Sequence, residues 1–434
     1  MNPLAVELNE KIESASSDLL AMLSSRGLAL YWPRGILSQS AEAKERAHRF
    51  NATIGEATEG DGPMALDSVV SQFPAIAPKD ALKYAPAAGT PELRQAWRRK
   101  ILDEGPALQG KTIGLPIVTS AITHGLALVG DLFVEPGDCI LLPDKLWGNY
   151  RLTFEVRLGG VIKTFETYAA DGGFNVASLR EALLAGPEKI ILLLNFPNNP
   201  TGYMPTRAEV EGMRDAVLAA ADAGKRIVVV TDDAYFGLVF DDAAIDESPF
   251  GLLAGIHPRV LTVKLDGATK ELFVWGLRCG FLTFAPPEVP GAEAILEALE
   301  KKTMGAIRGS ISNCSHLSQT VVLNALNSPK IGDERAQKHA VLKARAQRVQ
   351  EVAAADEYRE SWDVYPFNAG YFMCIRVKRG VDAEQLRLHL LDRYGVGLIA
   401  IGKTDIRVAF SCLEVEDIEP LFECVYQAIC DLAS

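Results

Sequence analysis

Three short stretches of the sequence carry side chains that could work together as a nucleophile, acid–base groups and anion binders. In LDGATKELFVWGLRCGF, Lys270 follows a strand-like run, Val260 to Lys264, and Arg278 stands eight residues further on beside Gly276 and Gly280. A lysine at a strand end in an α/β fold can project into the ligand crevice. LLLNFPNNPTG runs from an apolar stretch into a turn that holds Asn199, Pro200 and Gly202, and VVVTDDAYFGL ends in Asp232 and Tyr235. Three strand ends would thus deliver an amine, an amide, a carboxylate and a phenol to one edge. Singly, each has an ordinary structural role: Lys270 and Arg278 as exposed charges, Asn199 as a turn residue, Asp232 as an Asx cap. Their order and spacing together argue for a site.

The elements that must position these groups are visible as periodic patterns. Short apolar runs at 115–119, 139–142, 161–165, 189–194, 226–231, 260–264 and 280–284 alternate with helical segments. Buried strands separated by crossover helices imply an α/β fold with a mostly parallel, about seven-stranded sheet flanked by helices. The N-terminal pattern predicts an amphipathic helix over residues 8–25, ended by Gly27, then an arm with a Pro33-Arg34-Gly35 turn. Beyond residue 317 the texture is helical, with strand-like runs at 370–375 and 406–410, which reads as a second, smaller domain. No G-x-G-x-x-G follows the first strand, so a dinucleotide fingerprint is absent.

Composition narrows the function classes. Lys and Arg number 44 against 56 Asp and Glu, a net charge of −12, which argues against a nucleic-acid groove or an anionic membrane surface as partner. The 48% share of apolar residues points to a large core or an oligomer interface and away from disorder. The first residues, MNPLAVELNEKIESASS, resemble no secretory or transit peptide, and the apolar runs are too short to span a bilayer. The cysteines at 139, 279, 314, 374, 412, 424 and 430 form no C-x-x-C pair. We read them as reduced thiols of a cytoplasmic protein without a structural metal. His124 and His316 have no partner spacing for metal or triad work and are expected to pack or sit near a pocket rim.

The N-P-T-G turn, the D-x-x-Y strand end and the K-x7-R motif together resemble the pyridoxal 5'-phosphate (PLP) enzymes of fold type I, specifically the class I aminotransferases of the aspartate aminotransferase group. The resemblance extends over roughly residues 32–430. It implies a smaller α+β domain built from both chain ends, divided as an N-terminal arm and part of the small domain (1–57), a large PLP-binding domain (58–316), and an interdomain helix with the C-terminal small domain (317–434). It also implies Lys270 as the amine that carries the cofactor and shuttles a proton. Asp232 would face the pyridine nitrogen, with Asp233 as runner-up. Tyr235 and Asn199 would hydrogen-bond the cofactor's O3′, and Trp147, in LWGNY, would stack on its ring. Ala121 and Ile122, in TSAITHGLALVGDLF, would offer N–H groups to the phosphate, with Arg278 as the fixed cation. Tyr84, in KYAPAAGTPELR, would reach the phosphate from the other subunit of a homodimer.

On the substrate side the resemblance assigns Arg407, in DIRVAF, to the α-carboxylate of an amino acid or 2-oxo acid. Gly55 flanks the substrate, Ile54 helps close the site, and Arg308 aligns with the arginine that meets a distal carboxylate. This sequence departs from the pattern at Gly267, where the group usually has a phosphate-binding serine, and Thr269 is the residue able to take over that contact. Ala121 replaces the first glycine of the phosphate helix, which costs little if its φ is negative. The implied activity is ping-pong amino transfer between an aspartate- or glutamate-like or aromatic donor and an acceptor such as 2-oxoglutarate. A PLP lyase or decarboxylase uses the same cofactor motifs, and a PLP-sensing regulator would need a DNA-binding extension that the sequence does not offer.

Overall fold

Ile191 and Leu193 lie in one apolar cluster, while Ile190, Leu192 and Leu194 of the same strand lie in another. A strand buried on both faces needs no polar alternation, and helices must cover both sides of its sheet. The computed structural model of the protein describes residues 1–31, 35–60 and 62–433. Its main sheet contains β1 (Ile117–Ser120), β2 (Cys139–Pro143), β3 (Val161–Phe165), β4 (Lys189–Asn195), β5 (Arg226–Asp232), β6 (Val260–Gly267) and β7 (Cys279–Ala285). The order is β1-β7-β6-β5-β4-β2-β3, with β7 antiparallel to both β1 and β6 and the other pairs parallel. Each run expected to be a strand is therefore one. Because β4, β5 and β6 are parallel they finish at one edge, with Asn195 opposite Asp232 and Asp232 opposite Leu265.

Helices fill both faces. α1 (Pro91–Asp103) brings Trp97 onto Phe281, ring centroids 3.9 Å apart. α2 (Ala121–Phe133) follows β1 directly and buries Leu126, Leu128 and Val129 against Ile140 and Leu142. α3 (Val176–Ala185) and α4 (Arg207–Asp222) cover the opposite face with Leu179, Leu183, Val210, Met213 and Val217. Thr206 starts α4 through a reciprocal cap with Glu209, a device that stabilises a helix by about 1 kcal/mol. α5 (Ala268–Glu271) is a single turn at the end of β6, and α6 (Ala292–Ser310) follows β7.

A second, antiparallel sheet contains β8 (Trp362–Val364), β9 (Phe372–Val377), β10 (Ile399–Ile401) and β11 (Asp405–Ala409), in the order β8-β9-β11-β10. Early residues lie beside it: Phe50 and Asn51 pair in parallel with Val396 and Gly397 as a separate two-stranded ribbon, and the N–H of Ala409 donates to the carbonyl of Ala52 at 2.9 Å. α7 (Ile331–Ala353) supplies the fully buried Arg345, which donates to the carbonyls of Thr58 and Ser411 at 2.8 and 2.7 Å and to Glu414 at 2.7 Å. Among the described residues no helix is long and apolar enough to cross a membrane.

The N-terminal stretch differs from its predicted single helix over 8–25. It forms three short helices, Pro3–Ala15, Ser17–Ala21 and Ser25–Ala29. Asn2 caps the first and Pro3 opens it, which moves the start earlier than the apolar pattern suggested. Ser16 is extended, at φ −163°, and accepts from the N–H of Leu19, so it closes one helix and starts the next. Ser24 does the same for Gly27, which lies inside the third helix instead of ending the first. Pro33 and Arg34 of the expected turn lie outside the described residues.

The two sheets meet at the N-P-T-G turn. The carbonyl of Gly202 accepts from the N–H groups of Asn368 and Ala369 at 3.0 and 2.9 Å. Gly202 has φ +77°, and a Cβ there would stand 2.0 Å from the carbonyl oxygen of Phe372. Gly202→Ala is therefore expected to destabilise the protein by about 2–4 kcal/mol through overpacking and backbone strain. Chemical denaturation checks this, and a midpoint equal to that of the unaltered protein would refute the close approach.

Candidate active site

The ends of β4, β5 and β6 open onto a cavity of about 480 Å³. Lys270, Asp232, Tyr235, Asn199, Trp147, Arg278, Thr269, Ala121 and Ile122 line it, together with Arg407, Gly55 and Ile54. The structure thus brings together every expected site residue except Tyr84 and Arg308.

Lys270 owes its place to a tight backbone crossing. Gly267, the last residue of β6, pairs with Gly280 of β7, and a Cβ at Gly267 would lie 2.9 Å from the carbonyl oxygen of Cys279. A serine cannot enter there without moving a strand, which explains its absence. Thr269, two residues on, has a buried hydroxyl with no partner among the described residues and faces the same cavity. The Lys270 ammonium sits 4.9 Å from the centre of the Tyr235 ring, and the Tyr371 hydroxyl donates to the Lys270 carbonyl at 3.3 Å. Burial pulls the Lys270 amine down to about 8; Asp232 opposes that shift and Arg278 reinforces it.

Asp232 and Asp233 are separated by the geometry of a strand end, where consecutive side chains point to opposite faces. Asp232 lines the cavity and accepts from the Tyr150 hydroxyl at 2.7 Å and from the Ala234 N–H at 3.2 Å. Burial lifts its carboxyl to about 6, and Tyr150 and Lys270 restrain the rise. Asp233 faces away, ion-paired to Lys264 and accepting from Ser248 at 2.5 Å. Tyr150, which sequence reasoning did not single out, also lines the cavity. Its position three residues after Trp147 in LWGNY was the available signal.

The anion-binding end departs from expectation at Ala121. Its φ is +62°, not negative, and its N–H donates to the carbonyl of Arg278 at 3.1 Å, so that donor is already used. Arg278 is itself left-handed at φ +50°. The bond between them, with Thr119 Oγ1 donating to the Ala121 carbonyl at 2.9 Å, holds both unfavourable conformations. The first turn of α2, at Ile122 and Thr123, carries no side-chain cap. Unsatisfied N–H groups at a helix start, the Thr269 hydroxyl and the Arg278 guanidinium form a donor set suited to a phosphate group. Trp147 offers a flat apolar wall beside it.

Arg407, on β11, is 1% exposed. It donates to the Thr53 carbonyl at 2.8 Å and to Asn199 Oδ1 at 3.1 Å, and its guanidinium lies 4.0 Å from the centre of the Phe372 ring. Its Nε has no partner among the described residues. A buried guanidinium at the cavity wall, with one N–H of each terminal nitrogen engaged and the second remaining, suits a carboxylate. Asn199 spends its amide oxygen on Arg407, so only its NH₂ remains free to reach a ligand oxygen. Ile54 is partly exposed at the cavity mouth, and a Cβ on Gly55 would come 3.7 Å from the Tyr235 hydroxyl.

Arg308, expected to meet a distal carboxylate, is exposed on α6, bonded to Ser312, and does not line this chain's cavity. Tyr84 is 90% exposed and also lies outside it. His124 accepts from the Ser120 N–H at 3.1 Å, and His316 contacts the Lys83 carbonyl. Among the described residues no group of three or more His, Cys, Asp or Glu could hold a metal ion.

Comparison with known proteins gives the same picture. The family model for aminotransferases of class I and II matches residues 49–425. The aspartate aminotransferase of Rhizobium meliloti is 27% identical over 251 residues, 57% of this chain and 55% of that protein. The aspartate/prephenate aminotransferase of Cereibacter sphaeroides is 27% identical over 257 residues, 57% of this chain and 56% of that protein. In these matches the chain spans a little over half the length of the curated relatives. An aminotransferase from Anaerococcus prevotii superposes with a TM-score of 0.83 at 23% identity, covering 95% of this chain and all of that one. Thermus thermophilus aspartate aminotransferase superposes with a TM-score of 0.75 at 20% identity, covering 94% and 99%.

The environment of Lys270 leads to a pH prediction. A lysine whose folded pKa lies below its ordinary value is neutral, and so nucleophilic, over a wider range. In the unliganded chain acylation of Lys270, followed by peptide mass spectrometry, should rise with a midpoint near pH 8, well below the ordinary lysine value of 10.5. A midpoint above 10 would contradict the burial argument. Tyr150→Phe removes a hydrogen bond to the charged form of Asp232, so its carboxyl should titrate above about 6, visible in the infrared carboxyl band.

Proposed function

The chain belongs to the class I and II aminotransferases, and from that premise we propose that it is a PLP-dependent enzyme moving an amino group between an L-amino acid and a 2-oxo acid in a ping-pong cycle. The observation that carries this reading is the convergence, on one cavity, of a buried amine, a buried carboxylate and a buried guanidinium. PLP, when bound, supplies an electron sink for negative charge developing at the substrate Cα.

The chain's own residues would hold it at three points. Ile122, Thr123, Thr269 and Arg278 would take the phosphate, Trp147 the ring face, and Asp232 the ring nitrogen. Asp232 would be held charged beside a protonated ring nitrogen, which would add to the restraint that Lys270 already places on its burial-raised carboxyl. Lys270 would hold the cofactor through its side-chain amine, and the same amine, when free, would take and carry the proton of the substrate Cα. An amine titrating near 8 suits both directions of that transfer at neutral pH. Arg407 would fix the substrate carboxylate with two donors, which orients the Cα bond to be broken, while Ile54 helps to exclude water.

The names of the relatives favour an aspartate-like donor, and the aromatic donor also expected from the sequence has no support in them. Arg308 reads a distal carboxylate on this view only when a second copy supplies it, since its own chain does not bring it to the cavity. Tyr84, exposed on the same terms, fits a homodimer with shared sites. Buried free thiols at Cys139, Cys279, Cys314, Cys374 and Cys424 suit the reducing cytoplasm.

A panel of amino donors with 2-oxoglutarate, read as glutamate formed, tests the proposal. Release of carbon dioxide or pyruvate without a new amino acid would overturn it in favour of a decarboxylase or lyase. Lys270→Ala should abolish transfer. Arg407→Gln should raise KM for both donor and acceptor by about 100-fold, the equivalent of some 3 kcal/mol of charge-assisted hydrogen bonding. Arg308→Gln should penalise aspartate and glutamate more than apolar donors, and equal losses would remove its specificity role.

A further inference from the structure

On the face of the sheet turned away from the cavity lies a buried layer of charge that the proposed chemistry does not use. Lys264 and Asp266, two residues apart on β6, share one strand face, and Asp233 joins them from the end of β5. Ser248 and Trp97 donate to Asp233 and Asp266 at 2.5 and 3.0 Å. Glu271, 6% exposed, meets Lys100 of α1 at 2.5 Å and Arg335 of α7 at 2.8 Å. Glu104 closes the group by pairing with the same two cations. Burial alone would raise the Glu271 carboxyl, yet Lys100 and Arg335 outweigh it and hold the group charged. Removing either partner would leave a buried ion uncompensated.

The layer and the cavity share their chain segments residue by residue. Asp232 faces the cavity and Asp233 the layer; Lys270 lines the cavity and Glu271 enters the layer. α5, which carries Lys270, is a four-residue turn and cannot hold itself in place. Ala268 and the following Leu272 pack into the core, and the backbone of the turn is bonded locally, by the Leu272 N–H to the Ala268 carbonyl at 2.9 Å and the Val274 N–H to the Thr269 carbonyl at 3.0 Å, with one side-chain bond from Tyr371 to the Lys270 carbonyl. Glu271 fastens it to two helices distant in sequence. The charged and titratable groups facing Lys270 are Asp232, Arg278 and Tyr235, none of them in the layer, so the layer acts on where the amine stands and not directly on its charge.

We propose that Glu271 is a positioning residue for Lys270, its ion link to Lys100 and Arg335 fixing the rotation of α5 so that the amine points into the cavity beside Asp232. The proposal rests on the reading of Lys270 as the reacting amine. Its test uses the full chain without cofactor, in the unaltered form, as Glu271→Gln, and as the double variant Lys100→Met with Glu271→Met. The double variant replaces the pair by apolar groups of similar length and leaves Arg335 its partner Glu104, so it decides the matter if Glu271→Gln fails to fold. In variants whose circular dichroism matches the unaltered chain, the midpoint for acylation of Lys270 should move from near pH 8 toward 10.5. Covalent capture of PLP at Lys270, fixed by borohydride and mapped by mass spectrometry, should slow at least tenfold. An unchanged midpoint and a capture rate within twofold, in the folded double variant, would overturn the proposal. Failure of the unaltered chain to capture PLP at Lys270 would instead overturn the proposed function, while the acylation midpoints would still decide the role of Glu271.

Discussion

The buried guanidinium of Arg407 sets the terms for the rest of the molecule. A charge taken out of water costs several kcal/mol unless its donors are met. The partners that meet it come from distant parts of the chain: the Thr53 carbonyl, the Asn199 side chain in the turn after β4, and the Phe372 ring on the neighbouring strand. The antiparallel sheet, the segment entering from the N-terminus and the edge of the parallel sheet must therefore meet at one point. Arg407 also lines the cavity, so the junction of these segments lies beside that space. The same contacts hold the fold together and place a guanidinium at the cavity wall.

Close backbone approach does the equivalent work at the end of the cavity near Ala121 and Arg278. Gly267 and Gly280 pair where neither tolerates a Cβ, and a Cβ on Gly280 would meet Ala121 at under 3 Å. That proximity lets the carbonyl of Arg278 reach the N–H of Ala121, and the two non-glycine residues are held left-handed together. Left-handed backbone costs about 1 kcal/mol or more per residue, a cost carried by the surrounding strands. The start of α2 is placed beside Thr269 and Arg278 as a result.

Legibility in the sequence followed the physics of each element. The strands were readable because sheets covered on both faces need unbroken apolar runs, and KIILLLN and RIVVVTD are such runs. Cavity residues at strand ends were readable because parallel strands deliver their ends to one edge. The N-terminal helices were misread because apolar spacing continues through Ser16 and Ser24, whose hydroxyls stop and restart the helix locally. The φ of Ala121 was not legible, since it depends on Arg278, far away in sequence. Tyr150 was hidden because a tyrosine after an aromatic reads as core until its hydroxyl is seen on Asp232.

The overall charge of −12 describes the surface poorly as a guide to the site. Lys270, Arg278 and Arg407 converge on the cavity, with Asp232 as their buried counter-charge, so its field attracts anions although the molecule as a whole repels them. The adjacent pairs Asp232–Asp233 and Lys270–Glu271 keep this local excess separate from the layer behind the sheet. Each pair splits one charge toward the cavity and one toward paired ions, and alternation at a strand end or a helical turn is enough to do so. Cations meant for a ligand and cations meant for structure can therefore lie a few residues apart without neutralising one another. That separation lets an acidic protein keep a cavity lined by an excess of cations.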